Sequence, residues 1–467
     1  MRPGYLYFTL FTWFVSTGGR WTAPFLKEVA MFDDSIIGIL IALHVLLTSF
    51  LGSIGAVYAD KLEFWYPNKG RIGCMIFGLI TSTIAFEIHY VVHFFATIEE
   101  QPTVFFGIHI VARILYAICS SFIYNVLDGI TLSYTKKHNA DGSASYGKER
   151  LFGAVGWAIA SILLGPILDA TGFSVFFLCA PICCIISCLT MIKFGQECIA
   201  YEKISEENIT ANKETEMVKR TEIVPEEDSD DFREDGVENP SPNRGSLFLF
   251  RAMVSTYTFC GFIFSSLTLK IGTSVVESLI FLYFESMGGS NAICGLTVVV
   301  TVVFEIPIFH YAPRLLEYFG AENLQKIACL TYILRVVAYT LIPNGHVIFV
   351  LLFEPLHGVT YACSTTSAVE FASRLSPTGY ESSGQGFLSL ITGIGSVVGL
   401  SMGGWIEEVL GPKVLYRSYA AIVTFGLGIF YLTIFIDSRR RDANPTKSTS
   451  QRYSHLSTNQ IIEDDSE

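Results

Sequence analysis

Charge is what this 467-residue chain has least of: 16% of its residues are Asp, Glu, Lys or Arg, while 51% are hydrophobic. Soluble domains carry about 25% charged residues, so a molecule wetted on all sides is excluded, and a mean hydropathy of +0.46 agrees. A complete nucleotide-binding Gly-x-x-x-x-Gly-Lys-Ser/Thr motif is missing, since Gly142 to Lys148 has the spacing but is followed by Glu149, and so are a metal-spaced Cys/His cluster and a Ser/His/Asp set in a soluble segment. Nothing in the sequence therefore supports an enzyme, a metal or an organic cofactor. The eleven cysteines fall almost entirely within apolar runs, where they read as small core residues and not as a disulfide framework. No cleavable leader pattern precedes the first apolar run, which follows Met1-Arg2-Pro3-Gly4 directly.

What the chain has in abundance is apolar runs long enough to cross a bilayer. Twelve occur, near 5–26, 36–59, 72–95, 104–131, 151–169, 172–192, 253–285, 292–314, 323–342, 346–372, 385–409 and 412–436. The expected fold is an all-α membrane protein of twelve transmembrane helices in two pseudo-symmetric six-helix halves, embedded in the lipid bilayer. Basic residues fall on one side of the membrane: Lys61, Lys69, Arg71, Lys136, Lys137, Lys148, Arg150, Arg314, Lys326, Arg374 and Arg439-Arg440-Arg441, against Lys27 and Lys413 on the other. That bias predicts both termini in the cytoplasm, with the plasma membrane as default and an organelle left open.

The net charge of −12 belongs to one loop, because residues 197–244 hold fifteen acids against six bases. The predicted domains are an N-terminal half at 1–192, an acidic disordered cytoplasmic linker at 193–246, a C-terminal half at 247–437 and a disordered tail at 438–467. Linker and tail are the places where cytoplasmic partners would bind. An internal repeat joins the halves: Gly38 precedes Asp60 by the same 22 residues that separate Gly295 from Glu317. Likewise Gly156, Gly165, Asp169 and Gly172 align without gaps on Gly395, Gly404, Glu408 and Gly411.

Helical spacing gives six spans one polar face each, as lining a shared cavity requires. The stripes include Arg20 in span 1, Arg113 and Tyr116 in span 4, Glu277 in span 7 and Glu305 in span 8. Span 10 carries Glu354, His357 and Tyr361, and span 11 carries Gln385. A carboxylate at mid-bilayer costs roughly 2.5–3.5 kcal/mol on insertion scales, so Glu354 inside an apolar run needs a polar cavity or a partner. By rise per residue, Arg113, Glu277, Arg335 and Glu354 lie roughly 12–14 Å deep.

The loop Asp60-Lys61 followed by Lys69-Gly70-Arg71, placed after span 2 of twelve, resembles the signature of the major facilitator superfamily. Further matches are Glu305-Ile306-Pro307, Arg335, Glu354 with His357-Gly358, Gln385, and Arg150-Leu151-Phe152-Gly153. These are similar to the branch of oligosaccharide and nucleoside proton symporters that includes lactose permease, and to the eukaryotic domain-containing-protein-6 group. The resemblance implies secondary active transport by alternating access, with protons as coupling ion and a small polar, sugar- or nucleoside-like solute as substrate. The substrate set is expected to be Arg20, Arg113, Tyr116, Glu277, Tyr361 and Gln385. Glu305, Arg335, Glu354 and His357 are expected to couple protons, Arg335 approaching and leaving Glu354 or Glu305 while His357 shares the proton. Asp60, Lys61, Arg71, Asp128 and Arg150 are the expected gate. A facilitator or exporter with structural charges, and a receptor or scaffold on the same fold, remain as alternatives.

Overall fold

A backbone that lies in lipid has no water to bond, so each apolar run must close its own N–H and C=O groups in a helix. The computed structural model describes residues 1–67, 69–138, 142–220, 257–375 and 381–443, and every regular element among them is helical. In the N-terminal half these are α1 (Gly4–Ser16), α2 (Thr22–Glu28), α3 (Asp34–Trp65), α4 (Gly70–Val91), α5 (Pro102–Ser120), α6 (Ile123–His138), α7 (Gly142–Thr171) and α8 (Phe176–Arg220). The C-terminal half has α9 (Tyr257–Ser286), α10 (Asn291–His310), α11 (Ala312–Leu341), α12 (Pro355–Leu375), α13 (Glu381–Leu410) and α14 (Pro412–Ala443). Equivalent pairs pack in both halves: α1 on α7 and α8 matches α9 on α13 and α14, and α4 on α5 matches α11 on α12.

Among the described residues, eleven helical stretches are long and apolar enough to span a membrane, and the first of the twelve expected runs is the exception. It breaks at Gly18 and Gly19, whose φ angles of 113° and 48° suit glycine, and a 3₁₀ turn, Gly19–Trp21, separates α1 from α2. Span 10 likewise begins as a 3₁₀ turn, Val347–Leu352, before α12. Span 7 is by contrast one continuous helix over its described residues, α9. Two helices outrun their expected ends, α8 continuing to Arg220 inside the segment read as linker and α14 to Ala443. Residues 193–220 contain no proline or glycine beyond Gly195 and are rich in Glu and Lys, which propagate a helix even without an apolar face.

Successive spans reverse direction, so the connections at 28–34, 171–176, 286–291 and 410–412 share one face, here the distal face. The terminal face carries the start of α1, where the Met1 ammonium meets Glu197 and Arg2 bonds Glu149. At the distal face the halves clasp through glycines. A Cβ on Gly404 would lie 2.3 Å from the Asp34 carbonyl oxygen, and one on Gly295 would lie 2.3 Å from that of Ser161. Close approach of α13 to α3, and of α10 to α7, therefore depends on the missing side chains. Next to each contact a carboxylate caps the opposite half's helix. Asp169 accepts from the Asn291 and Ala292 amides at 2.7 and 2.9 Å, and Glu408 accepts from the Ser35 amide at 2.9 Å. These are the positions the repeat alignment equates, so the duplicated motif is the distal clasp. Toward the terminal face, polar side chains on the central helices stay accessible: Lys270 and Glu277 are each 32% exposed and Asp128 is 31% exposed.

Candidate functional site

Glu354 sits at the join between the 3₁₀ turn and α12, with Pro355 as the first residue of that helix. Proline fits there because the first helical N–H has no partner to lose. Pro355 thus opens the helix and does not bend it. The Glu354 carboxylate is 1% exposed and accepts two hydroxyls, Thr301 Oγ1 on Oε2 at 3.0 Å and Tyr339 Oη on Oε1 at 2.7 Å. Both donors are neutral.

Arg335, one turn before Tyr339 on α11, is fully buried and pairs with neither Glu354 nor Glu305 in this state. Tyr339 explains why. Its hydroxyl occupies the carboxylate while its ring lies 5.8 Å from the Arg335 guanidinium carbon, so the tyrosine separates the two charges. His357 is also buried, but its backbone N–H bonds the Glu354 carbonyl and its Nδ1 has no partner among the described residues. The expected sharing of a proton between its ring and the Glu354 side chain has no hydrogen bond to carry it here.

The break in span 1 places Arg20 in its 3₁₀ turn, reaching across to the C-terminal half. Its Nη2 donates to the Val276 carbonyl at 3.3 Å and its guanidinium stacks 4.9 Å from the Phe281 ring. Trp21 crosses beside it, donating from Nε1 to Asn291 Oδ1 at 2.8 Å. Arg113 lies on the other side of the turn, with Nη2 3.4 Å from Thr22 Oγ1 and its guanidinium 4.9 Å from the Tyr116 ring. Tyr116 in turn shares a 2.8 Å hydrogen bond with Thr17 and stacks against Trp13. Three of the residues expected to hold substrate, Arg20, Arg113 and Tyr116, are thus gathered around one turn.

Glu277 and Tyr361 belong elsewhere. Glu277 pairs with Lys270 at 3.3 Å on α9, Glu305 lies on α10 where Gly358 of α12 packs against its backbone, and Tyr361 packs edge-on against Phe309 of α10. This second cluster opens toward the terminal face. Gln385 lies on α13, its side chain outside the described residues.

The expected gate residues bond mainly within the N-terminal half. Arg71 bonds Asp60 at 2.7 Å and reaches Ser133 Oγ at 3.2 Å, tying α4 to α3 and α6. Lys61 is exposed beside them. Asp128 accepts from Tyr7 Oη at 2.5 Å and faces Arg150 at 4.0 Å. At the rim, the hydrogen bond from Arg2 to Glu149 holds that guanidinium above its ordinary pKa.

Sequence reasoning missed several partners. Tyr339 looks like one more aromatic in an apolar run, and His89 of span 3 forms a buried pair with His109, their Nδ1 atoms 2.6 Å apart. Asp169 and Glu408 were visible as repeat positions, and pairing them with the facing glycines was the signal that would have exposed the clasp.

Three comparisons bear on this arrangement. The model of the MFS_1 like family matches residues 5–418. Maltose permease of Geobacillus stearothermophilus is 22% identical over 426 residues, 91% of this chain and 91% of its own. Among solved structures, the nucleoside transporter NupG superposes with a TM-score of 0.62 at 16% identity, covering 92% of this chain and 98% of that one. A D-xylose-proton symporter does so with a TM-score of 0.60 at 14% identity, covering 92% and 95%. At such identities the superpositions establish the shared fold.

Proposed function

Since the chain belongs to the MFS_1 like family of transporters, we propose that it is a secondary active transporter, coupling proton movement to uptake of a small polar solute by alternating access. The chain is an integral multi-pass membrane protein and not an enzyme. The clasped distal face and the accessible polar cluster beneath it correspond to one of the two end states, open toward the terminal face. With the termini inside, as the basic loops imply, that state faces the cytoplasm. The sugar- or nucleoside-like class of solute rests on the relatives, a maltose permease, a nucleoside transporter and a xylose-proton symporter.

The observation that carries the proton role is Glu354, a buried carboxylate held by two hydroxyls and, among the described residues, by no cation. An ionised carboxylate accepts from both, whereas a protonated one must itself donate from one oxygen. Proton binding therefore weakens both hydrogen bonds and can reverse one of them. Release of the Tyr339 hydroxyl would free the ring that lies 5.8 Å from Arg335, passing the change from α12 to α11. Uptake of labelled sugars and nucleosides into vesicles, with and without an inward proton gradient, tests this. Gradient-stimulated uptake is expected; uptake that ignores the gradient contradicts the proton role, and no uptake of any solute, with partners captured by residues 193–246, points to a receptor.

A further inference from the structure

Three arginines stand out once the carboxylates have been accounted for. Arg20 is 6% exposed, Arg113 is 5% exposed and Arg335 is 0% exposed, so all three guanidinium groups are out of bulk water. A guanidinium cannot shed its proton to escape the cost of burial, as a lysine or histidine can. Each must be compensated.

The protein compensates them poorly. Arg20 makes one long hydrogen bond, to a carbonyl, and Arg113 one, to a hydroxyl. Arg335 makes none, and its Nε, Nη1 and Nη2 join the Nε and Nη1 of Arg20 and Arg113 as buried donors without partners among the described residues. The acids of the central helices are engaged elsewhere. Glu354 takes neutral hydroxyls, Glu277 takes Lys270, and Asp128 takes Tyr7 and faces Arg150. Counting both Glu354 and Glu305 against the three arginines still leaves one positive charge in excess.

The three groups also converge. Arg20 and Arg113 flank the span-1 turn, one within it and the other on Thr22. Arg20 lies over Phe281, which packs through Phe284 onto Tyr339, the ring beside Arg335, so one aromatic chain links the two halves of the set. Each guanidinium carbon lies over an aromatic ring, 4.9 Å from Phe281 for Arg20, 4.9 Å from Tyr116 for Arg113, and 5.9 and 5.8 Å from Tyr332 and Tyr339 for Arg335. A ring against one side leaves the N–H edges of a guanidinium open, and those edges recognise a carboxylate or phosphate through paired hydrogen bonds.

We propose that Arg20, Arg113 and Arg335 bind an anionic group, a carboxylate or phosphate, on the transported solute. This rests on the transporter reading and narrows it: the solute is a sugar- or nucleoside-like acid and not its neutral parent. It also changes what Arg335 does, from partner of Glu354 to ligand of the substrate. A charge consequence follows. One proton carried with one monoanion moves no net charge, whereas one proton carried with a neutral solute moves one.

The test uses purified full-length protein and matched pairs, glucose with glucuronate and with glucose 6-phosphate, and adenosine with adenosine monophosphate. Thermal stabilisation reads binding, and vesicle uptake reads transport. At least one acid is expected to bind and enter while its neutral parent does neither, the carboxylate and phosphate arms separating the two chemistries. Uptake of a monoanion under a proton gradient should not respond to an imposed membrane potential. Arg20→Lys and Arg335→Lys lose the fork, and a buried lysine can also shed its proton, so each should raise the half-saturating concentration at least about tenfold. Arg113→Lys guards against a folding failure at the fully buried site. Neutral solutes entering in preference to acids, with a current, would overturn the anion site and leave transport standing. Acids that bind but are never carried would leave the site standing and remove transport, and acids that neither bind nor enter would overturn it.

Discussion

Tyr339 stands between a buried carboxylate and a buried guanidinium, touching Glu354 with its hydroxyl and Arg335 with its ring. A hydrogen bond to a charged group is worth about 1.5–3 kcal/mol, so Tyr339→Phe should destabilise the folded protein by that amount. In a Glu354→Gln background, where the acceptor is neutral, the same change should cost less than half as much. Thermal unfolding of the four proteins measures the difference, and an equal cost in both backgrounds would show that the hydroxyl senses no charge. At this scale the sequence was informative where chemistry was out of place. Glu354 betrays itself as a carboxylate in an apolar run, and Thr301 lies on a polar stripe. Tyr339 does not, because aromatic residues are ordinary in such runs and spacing within α11 says nothing about which neighbour it faces on α12.

The elements that close the distal face are α3 against α13 and α7 against α10, each contact made by glycine and capped by a carboxylate. Asp169 accepts two amides at the start of α10, and Asp169→Ala should destabilise the clasp by about 1–2 kcal/mol, roughly a tenfold rise in the open population. Cys294 reports it, being fully buried beside Gly295. In a variant retaining that cysteine alone, labelling by an impermeant maleimide should quicken about tenfold, and an unchanged rate would mean that the clasp does not gate access. Gly404→Val should act in the same direction, since overpacking costs about 1–3 kcal/mol and its Cβ would meet the Asp34 carbonyl. The glycine repeat was legible before any contact was known, because equal spacing recurs in both halves. The two helix breaks were not: Gly18-Gly19 and the turn before Pro355 lie inside runs whose hydropathy is continuous, and hydropathy measures solvent preference, not backbone angle.

Across the whole molecule, the number of spans and the twofold repeat followed from composition and periodicity, because lipid leaves the backbone no alternative to helices. Which charges pair did not follow, since depth along a helix fixes one coordinate of a side chain and partners depend on all three. Arg335, Glu354 and Glu277 share an expected depth, yet Glu277 pairs with Lys270 and the other two are parted by a tyrosine. Deleting residues 225–245 should leave uptake within roughly a factor of two, because loop length changes closure entropy slowly. Loss of transport in a folded, membrane-inserted protein would assign that segment a direct role. The most direct test of coupling compares the wild type with Glu354→Gln in proteoliposomes bearing an inward proton gradient. The wild type should concentrate solute above the external level, while Glu354→Gln should exchange solute across the membrane yet fail to concentrate it. Accumulation by Glu354→Gln equal to the wild type would contradict the assignment of the coupling proton to this carboxylate.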